Sequence, residues 1–198
     1  MLVLASASPR RQELLRNAGI QFEVQPTNIP EVPQPGEAPR AFAERMAREK
    51  ALAVFRLRPN DFVLGADTIV VVDAAILGKP RDRADAVRML RLLSGRKHQV
   101  TTGVCLLGLR PRDENGKIGF EDVKSETTLV TMDPLGEDDI HGYVSTGEPM
   151  DKAGAYAIQG RASRWISRIE GDYFNVVGLP VSLVYKMLRE HGTIESKT

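Results

Sequence analysis

The sequence predicts a mixed α/β fold, in which a mixed β-sheet is flanked by helices, and three observations support this prediction. The chain has 198 residues, 42% of them hydrophobic, and a formal net charge of +1, which is typical of a globular protein. Short apolar runs alternate with amphipathic helical patterns. Two apolar segments, 100–109 and 120–132, follow each other across a polar loop containing Asn115 and Gly116, which predicts a strand pair. At least one antiparallel pair is therefore expected, rather than a simple alternation of strands and helices.

The opening of the chain predicts a strand that leads into a helix. Residues 2–5 form a short apolar run that suits a buried strand. Ser8 suits the N-cap of the following helix and Pro9 its first position, because proline has the φ angle that a helix needs and no N–H group is required there. Gly19 is expected to end this helix.

A proline-rich loop separates this opening from the next helix and strand. Residues 26–39 contain too many prolines for regular structure, which predicts a long loop. Apolar residues at helical spacing predict a second helix over residues 39–57, with Lys50 in its apolar row. Residues 62–72 are almost entirely apolar around Asp67, which predicts a buried strand.

The second half of the chain continues with three helices and a further strand. The predicted elements are a helix capped by Asp82 that ends at Gly95, a helix opened by residues 137–139 and closed by Gly147, a strand over residues 165–169, and a helix from Pro180 to Glu190. The length of the chain predicts one domain, which we place at residues 1–192, followed by a flexible C-terminal tail at residues 193–198.

The composition disfavours several classes of protein. The near-neutral charge argues against broad electrostatic binding of nucleic acid, so an anion site has to be local. The single cysteine, Cys105, lies in an apolar run and excludes a disulfide framework. The start of the chain lacks the basic region of a signal peptide, and no apolar run is long enough to span a membrane. We therefore expect a cytoplasmic protein that binds neither nucleic acid nor membranes.

Two arginines at the start of the first helix indicate an anion site. Arg10 and Arg11 lie where the helix dipole disfavours cations, and a bound anion would reverse the sign of that interaction. The N–H groups of the helix start, the Ser8 hydroxyl and a guanidinium together suit a phosphate group. The alternative is that both arginines point to solvent or pair with acidic residues such as Glu13.

Two charged residues are predicted in apolar surroundings. Asp67 lies within a buried strand, where a carboxylate needs a cation, a metal or several hydrogen-bond donors. Lys50 lies in the apolar row of the second helix, between Met46 and Val54 at four-residue spacing. The alternative for Asp67 is that it ends its strand. The alternative for Lys50 is that its apolar stem is buried while its ammonium group reaches solvent.

Further candidate residues occur in loops. Lys79 lies in a tight turn between Gly78 and Pro80, from which its amine can reach an anion. Residues 147–160 combine glycines and opposite charges in an irregular stretch that resembles a binding loop, and a surface loop with internal salt bridges is the alternative. The three histidines are interpreted as structural or surface residues, because none has a second metal-type residue at ligand spacing.

Together these residues favour chemistry on a phosphate ester or phosphoanhydride. The sequence has no Walker loop, dinucleotide-binding fingerprint, nucleophile elbow or zinc-spaced set of cysteines and histidines. Scattered cations and two inward carboxylates, Asp67 and Glu31, suit a reaction that needs positive groups on phosphate oxygens. Such a reaction also needs a carboxylate for a metal or a water molecule, and no covalent nucleophile.

Six ordered blocks of the sequence resemble the Maf family of nucleoside triphosphate pyrophosphatases. They are Leu4–Arg11 (LASASPRR), Lys50–Ala51 (KA), Gly65–Val70 (GADTIV), Leu77–Pro80 (LGKP), Gly147–Tyr156 (GEPMDKAGAY) and Gly171–Pro180 (GDYFNVVGLP). The blocks span nearly the whole chain, and six in order are far more specific than any one motif. The resemblance implies hydrolysis of the α–β phosphoanhydride of a nucleoside triphosphate to a monophosphate and pyrophosphate, with a divalent cation, Mg²⁺ or Mn²⁺. It also implies two lobes around a cleft, a relationship to the inosine triphosphate pyrophosphatases, and a homodimer.

The resemblance further implies a substrate and a set of site residues. The motifs Ser-Pro-Arg-Arg, Ala-Asp-Thr and Ile-Gln-Gly mark the dTTP/UTP branch of the family, and they occur here at residues 8–11, 66–68 and 158–160. Ala157 occupies a position where the family usually has glycine. By this resemblance Arg11, Thr68 and Gln159 match the specificity positions of the family, and Ser8, Glu31, Lys50 and Lys79 match other residues of its cleft. We predict catalytic roles for Asp67, Lys50 and Lys79, substrate binding by Ser8, Arg11, Glu31, Thr68 and Gln159, and metal binding by Asp67 and Glu31.

Asp67 matches the proton acceptor proposed for the family, and the two lysines are expected to offset charge that develops on the phosphate oxygens. Removal of nucleotides from the cellular pool is the expected role.

Two other functions are alternatives. One is the same chemistry on a modified or purine nucleotide such as 7-methyl-GTP. The other is a nucleotide-binding regulator without turnover, because Maf proteins are also linked to septum formation.

Overall fold

The computed structural model describes residues 1–112 and 116–194. Within these residues the elements are, in chain order, β1 (Leu2–Leu4), α1 (Pro9–Asn17), β2 (Glu23–Val24), α2 (Pro39–Phe55), β3 (Phe62–Val72), β4 (Ala75–Leu77), α3 (Arg83–Leu93), β5 (Lys97–Arg112), β6 (Gly116–Met132), α4 (Glu137–Ser145), β7 (Ile166–Glu170), α5 (Tyr173–Val177) and α6 (Val181–Glu190). Short 3-10 helices lie between α4 and β7, at Glu148–Asp151, Ala153–Ala155 and Arg161–Trp165.

The strands form one mixed sheet. Its order is β2-β1-β3-β5-β6-β7, and β4 pairs with β3 off this path. β1 is parallel to both β2 and β3, whereas β4 is antiparallel to β3 and β7 is antiparallel to β6. The predicted mixed α/β fold, with at least one antiparallel pair, is therefore confirmed.

The chain divides into two compact units. The first unit contains Met1–Asp67, Thr102–Glu126 and the chain from Gly178 onward, and the second contains Thr68–Thr101 and Thr127–Val177. The single domain over residues 1–192 stays a prediction. Of the predicted tail at residues 193–198, residues 195–198 lie outside the described residues, as does Asn115 of the predicted loop.

In the first unit, helix α2 packs on the sheet through small side chains. Ala47 and Ala51 of α2 belong to one buried cluster with Val3 of β1 and Val63 of β3. Cys105 of β5 is buried in the same cluster, as predicted, and burial raises the pKa of its thiol to about 12. The thiol is therefore protonated at neutral pH and acts as a small apolar group.

In the second unit, helices α3 and α4 share a core. Leu90 and Leu93 of α3 lie in one buried cluster with Ile140 of α4, Val70 of β3 and Met132 of β6. Each such side chain contributes about 1.5–3 kcal/mol when it leaves water. In the described part of the chain, no helix combines the length and the apolarity that a membrane crossing needs.

Most elements begin and end near their predicted positions. β3 has the predicted bounds, and at the start of α3 the Asp82 side chain accepts a hydrogen bond from the N–H of Asp85. Ser8 occupies the N-cap position of α1, but its hydroxyl makes no capping hydrogen bond. The short elements β2, β4 and α5 are not predicted. The turn into β4 uses Asp73 and Ala74 at φ angles of 48° and 63°, a geometry for which Asn-Gly is the usual signal.

The histidines have structural or surface positions, as predicted. His98 is buried, and its Nε2 atom lies 2.8 Å from the hydroxyl oxygen of Tyr156. His141 is exposed on α4. His191 lies 3.0 Å from a carboxylate oxygen of Asp122.

Acid is expected to destabilise the fold through His98. Burial lowers the pKa of His98 to about 4, from the value of 6.5 expected in water. Between these values the unfolded chain binds a proton that the folded chain does not, so stability that is complete above pH 6.5 is lost as the pH falls toward 4. We expect this residue to lower the free energy of unfolding in urea by about 2 kcal/mol between pH 7 and pH 5.

Substitution identifies the source of this pH dependence. His98→Gln should remove it, whereas His141→Gln, at an exposed position, should retain it. Equal pH dependence in the wild type and in His98→Gln would contradict the prediction.

Candidate active site

A buried lysine joins two carboxylates in the first unit. The Nζ atom of Lys50 donates hydrogen bonds to Oδ1 of Asp67 and to Oε1 of Glu31, each at 2.6 Å. The side chains of Lys50 and Asp67 are 10% and 7% exposed, whereas that of Glu31 is 37% exposed. The alternative that the Lys50 ammonium group reaches solvent is therefore wrong. Asp67 has the cation that a buried carboxylate requires.

Close packing of α2 on β3 brings Lys50 to Asp67. Gly65 precedes Asp67 by two residues, so both face the same side of the strand. A Cβ atom on Gly65 would lie 2.1 Å from the carbonyl oxygen of Ala47 and 2.8 Å from the backbone nitrogen of Ala51. These neighbours are backbone atoms that cannot rotate away, so the approach of the helix requires glycine at this position.

Arg11 belongs to the same group of charges. Its Nε atom donates to the carbonyl oxygen of Gly178 at 2.8 Å, and Nη1 donates to Oγ of Ser6 at 3.0 Å. Burial lowers the pKa of Arg11, and the charges of Asp67 and Glu31 oppose this effect. The alternative that Arg11 points to solvent is wrong, because the residue is 9% exposed.

Ser6 connects Arg11 to the turn before α1. Its hydroxyl oxygen accepts from Arg11 and lies 3.3 Å from the donating N–H of Ser8. Ser6 is buried, whereas Ser8 is half-buried at the start of the helix. Sequence reasoning did not single out Ser6. Its signals are a hydroxyl two residues after a buried strand and a place within the block Leu4–Arg11.

The electrostatics of this group favour a proton acceptor at Asp67. Burial raises the pKa of Asp67, the positive charges of Lys50 and Arg11 oppose this effect, and the negative charge of Glu31 adds to it. A carboxylate that is partly desolvated is more basic than one in water. Such a group suits proton abstraction from a water molecule.

Arg45 fastens the loop that carries Glu31 to α2. Its Nε and Nη2 atoms donate to Oε1 and Oε2 of Glu37 at 2.6 and 2.7 Å, and Nη2 also donates to the carbonyl oxygen of Val32 at 3.0 Å. Hydrogen bonding to Arg45 lowers the pKa of Glu37 to about 2, so the pair is ionised at neutral pH. Val32 directly follows Glu31, so the hydrogen bonds from Arg45 hold the loop directly beside the candidate site. Sequence reasoning missed Arg45, because its partners lie in an irregular loop without periodicity.

Three of the predicted site residues belong to the second unit. Thr68 follows Asp67 in β3 and therefore faces the other side of the strand. Lys79 is exposed in the loop after β4, and Gln159 is exposed in the segment that precedes the 3-10 helix at Arg161–Trp165. The structure thus brings Arg11, Glu31, Lys50 and Asp67 together in the first unit and places Thr68, Lys79 and Gln159 in the second.

The carboxylates of Asp67 and Glu31 suit a divalent cation whose other ligands are water and phosphate oxygens. Asp67 and Glu31 each place an oxygen 2.6 Å from the same nitrogen of Lys50, so the two groups converge. Among residues 1–112 and 116–194, no cluster of three or more histidine, cysteine or acidic side chains forms a metal site. Mg²⁺ typically binds through one or two carboxylates together with water and phosphate oxygens. The donor set therefore fits a cation held jointly with a phosphate ligand.

Comparisons with known sequences match nearly the whole chain. The sequence profile of a family described as Maf-like protein matches residues 1–191. A Koribacter versatilis protein named dTTP/UTP pyrophosphatase is 57% identical over 193 residues, which cover 98% of this chain and 95% of that protein. A Geobacter sulfurreducens protein of the same name is 51% identical, with 98% and 97% covered. The structure of the Staphylococcus aureus Ham1 protein overlaps with a TM-score of 0.46 at 15% identity, covering 96% of this chain and 98% of that one.

Proposed function

The chain belongs to the Maf-like protein family, and on this premise we propose that it hydrolyses dTTP and UTP to the nucleoside monophosphate and pyrophosphate. The observation that carries the proposal is the buried contact of 2.6 Å between Lys50 and Asp67, in a chain 57% identical to a dTTP/UTP pyrophosphatase. The protein is thus a hydrolase of nucleotide metabolism, and removal of nucleotides from the cellular pool is its proposed role.

Asp67 is the proposed proton acceptor for the attacking water molecule. As the water oxygen forms a bond to the α-phosphorus, the bond from that phosphorus to the bridging oxygen breaks and pyrophosphate leaves. The carboxylate of Asp67 takes the proton that the water loses. Lys50 orients this carboxylate by donating to its Oδ1 atom at 2.6 Å.

Positive groups are proposed to bind the triphosphate. Arg11 and the start of α1 with Ser8 contact the distal phosphates, and Lys50 and Lys79 offset the charge that develops on the phosphate oxygens. Thr68 and Gln159 contact the nucleoside. A bound Mg²⁺ or Mn²⁺ ion would neutralise phosphate charge, and Asp67 and Glu31 are the residues that would hold it.

Replacing Arg11 with alanine should mainly weaken the binding of UTP. Loss of a charged donor to phosphate is expected to raise KM about tenfold or more, with a smaller effect on kcat. Arg16→Ala is the matched control, since Arg16 lies on the same helix and bonds Gln12 at the surface. This control should keep KM within about twofold of the wild type. An unchanged KM for UTP in Arg11→Ala would count against the proposed phosphate contact.

A panel of nucleotides tests the proposed activity. Pyrophosphate release is measured with dTTP, UTP, CTP, ATP, GTP and 7-methyl-GTP, in Mg²⁺ and in Mn²⁺, and the monophosphate product is identified. The proposal expects the highest kcat/KM for dTTP and UTP. A higher value for 7-methyl-GTP or another purine would favour the alternative substrate. Tight binding of UTP without pyrophosphate release over hours would favour a regulator without turnover.

We also propose that the protein acts in the cytoplasm as a homodimer, with residues 1–192 forming one domain. Light scattering after size exclusion tests the assembly, because one chain has a mass of 21.8 kDa. A mass equal to that of a single chain at micromolar concentration would contradict the homodimer. A second cooperative unfolding transition would contradict the single domain.

A further inference from the structure

Two side chains hold the backbone on both sides of Gln159. The N–H of Ala157 donates to the hydroxyl oxygen of Tyr143 at 3.2 Å, and the N–H of Arg161 donates to Oε1 of Glu148 at 3.0 Å. The hydroxyl of Tyr143 in turn donates to the same oxygen of Glu148 at 2.9 Å. The segment from 157 to 161 is therefore tied near both ends to one hydrogen-bonded pair, with Gln159 at its midpoint. We call this pair the Tyr143–Glu148 brace.

Gly160 allows the brace to lie against this segment. A Cβ atom on Gly160 would lie 1.9 Å from Oε1 of Glu148. The φ angle of Gly160 is −104°, which any residue adopts, so glycine is needed for space and not for backbone conformation. The carboxylate thus contacts the residue that directly follows Gln159.

The brace is itself held in place. Tyr143 is 1% exposed on α4, and its ring packs edge-on against Trp165 at a centroid distance of 5.5 Å. Burial raises the pKa of Tyr143, so the hydroxyl retains the proton that it donates to Glu148. Lys152 donates to the carbonyl oxygen of Glu148 at 3.0 Å, which restrains the backbone of that residue. Gln159 alone is exposed between these anchored positions.

The alanine at position 157 fits this arrangement. Ala157 is buried, and it is not among the described residues that have a positive φ angle. A glycine is therefore not required by the backbone at this position. Its N–H is held by Tyr143, so the departure from the usual glycine leaves the anchor intact.

We infer that Tyr143 and Glu148 are positioning residues for base selection, which hold Gln159 at the distance that admits a pyrimidine base. This inference rests on the proposed function, in which Gln159 contacts the base. An amide can donate to a carbonyl oxygen and accept from an imide N–H, the two groups on the pairing edge of uracil and thymine. A purine base is larger than a pyrimidine base. The anchored segment from 157 to 161 excludes a purine, whereas a segment that has lost its anchors can move and admit one.

Tyr143→Phe removes the hydroxyl and keeps the aromatic packing. We expect the preference for UTP over ATP, taken as the ratio of the two kcat/KM values, to fall about tenfold through a higher KM for UTP and a lower KM for ATP. The kcat for UTP should stay within about twofold, because the Lys50–Asp67 pair is unchanged. Gly160→Ala leaves both brace residues in the chain but displaces the carboxylate, and it should lower the preference in the same way.

Tyr156→Phe is the matched control. It also removes a buried hydroxyl in the second unit, and the hydrogen-bond partner of this hydroxyl is His98. The preference for UTP should be unchanged in this control, even where its melting temperature falls as far as that of Tyr143→Phe.

A double-mutant cycle separates positioning from a general structural effect. If Tyr143 acts through Gln159, then Tyr143→Phe lowers the preference little further once Gln159→Ala is present. Effects that add in full, or an unchanged preference in Tyr143→Phe, would overturn the inference while leaving the proposed hydrolysis intact.

Binding measurements distinguish failure of this inference from failure of the proposed function. Calorimetry with the α,β-methylene analogues of UTP and ATP gives the base preference without turnover. A wild type that prefers the UTP analogue, with that preference reduced in Tyr143→Phe, supports the inference even if no pyrophosphate is released, and only the hydrolysis then fails. A wild type without any preference for the UTP analogue overturns the inference.

Discussion

Replacing Asp67 with asparagine is expected to lower kcat for UTP about a hundredfold or more, with a much smaller change in KM. Asparagine has nearly the same shape but accepts no proton at neutral pH. In the native protein, burial raises the pKa of Asp67, which makes its carboxylate a better base than one in water. Steady-state release of pyrophosphate measures both constants.

Asp73→Asn is the matched control for this substitution. Asp73 follows the last residue of the same strand, is exposed and pairs with Arg96. We expect its kcat to stay within about twofold of the wild type. In Asp67→Asn, Lys50 retains Glu31 as a partner at 2.6 Å, so the variant should fold, and thermal unfolding checks this. A folded Asp67→Asn protein with wild-type kcat would refute the role of proton acceptor.

Replacing Gly65 with alanine is expected to destabilise the fold by about 1–3 kcal/mol or more and to lower activity as well. The new methyl group would lie 2.1 Å from the carbonyl oxygen of Ala47, so α2 and β3 have to move apart. Because Lys50 lies on α2 and Asp67 on β3, this movement would lengthen the 2.6 Å contact between them. Urea unfolding measures the loss of stability, and pyrophosphate release measures the loss of kcat.

Gly142→Ala is the matched control, because it also replaces a glycine with alanine but at a position with space for the methyl group. Gly142 lies within α4, and apart from its chain neighbours and the backbone of its own helix, no heavy atom lies within 4 Å of the place that its Cβ would take. Alanine favours a helix, so stability should rise by up to about 1 kcal/mol. If Gly65→Ala were as stable and as active as the wild type, the close approach of α2 to β3 would not be what holds Lys50 at Asp67.

Local patterns predicted the larger elements of the fold. The helical spacing of apolar residues located α2 and α3, and the apolar run at residues 62–72 located β3 with its observed bounds. The short strand β4 escaped prediction, because its turn places Asp73 and Ala74 at positive φ angles, and alanine stands where the usual hairpin signal has glycine. Pairing with β3 stabilises this strand, and such pairing does not appear in the local sequence.

The sequence singled out several residues of the candidate site but did not predict the contacts between them. Asp67 and Lys50 stood out because a charged group in an apolar pattern needs a partner, and they are partners of each other. Arg45 did not stand out, since arginine on the polar side of a helix is ordinary and the two partners that matter here, Glu37 and Val32, lie in a loop. Tyr143 was equally inconspicuous, because an aromatic residue in a helix is most often part of the core.

The sequence by itself determined the fold class, the inward position of Asp67 and the family resemblance. The tertiary structure alone decided which groups meet, including Arg11 with the carbonyl of Gly178, 167 residues away. The physical reason is the range of the interactions. Periodicity and propensity act over a few neighbouring residues, whereas the contact of Lys50 with Asp67 depends on how closely a helix packs on a strand. At Gly65 that distance is set by backbone atoms of α2.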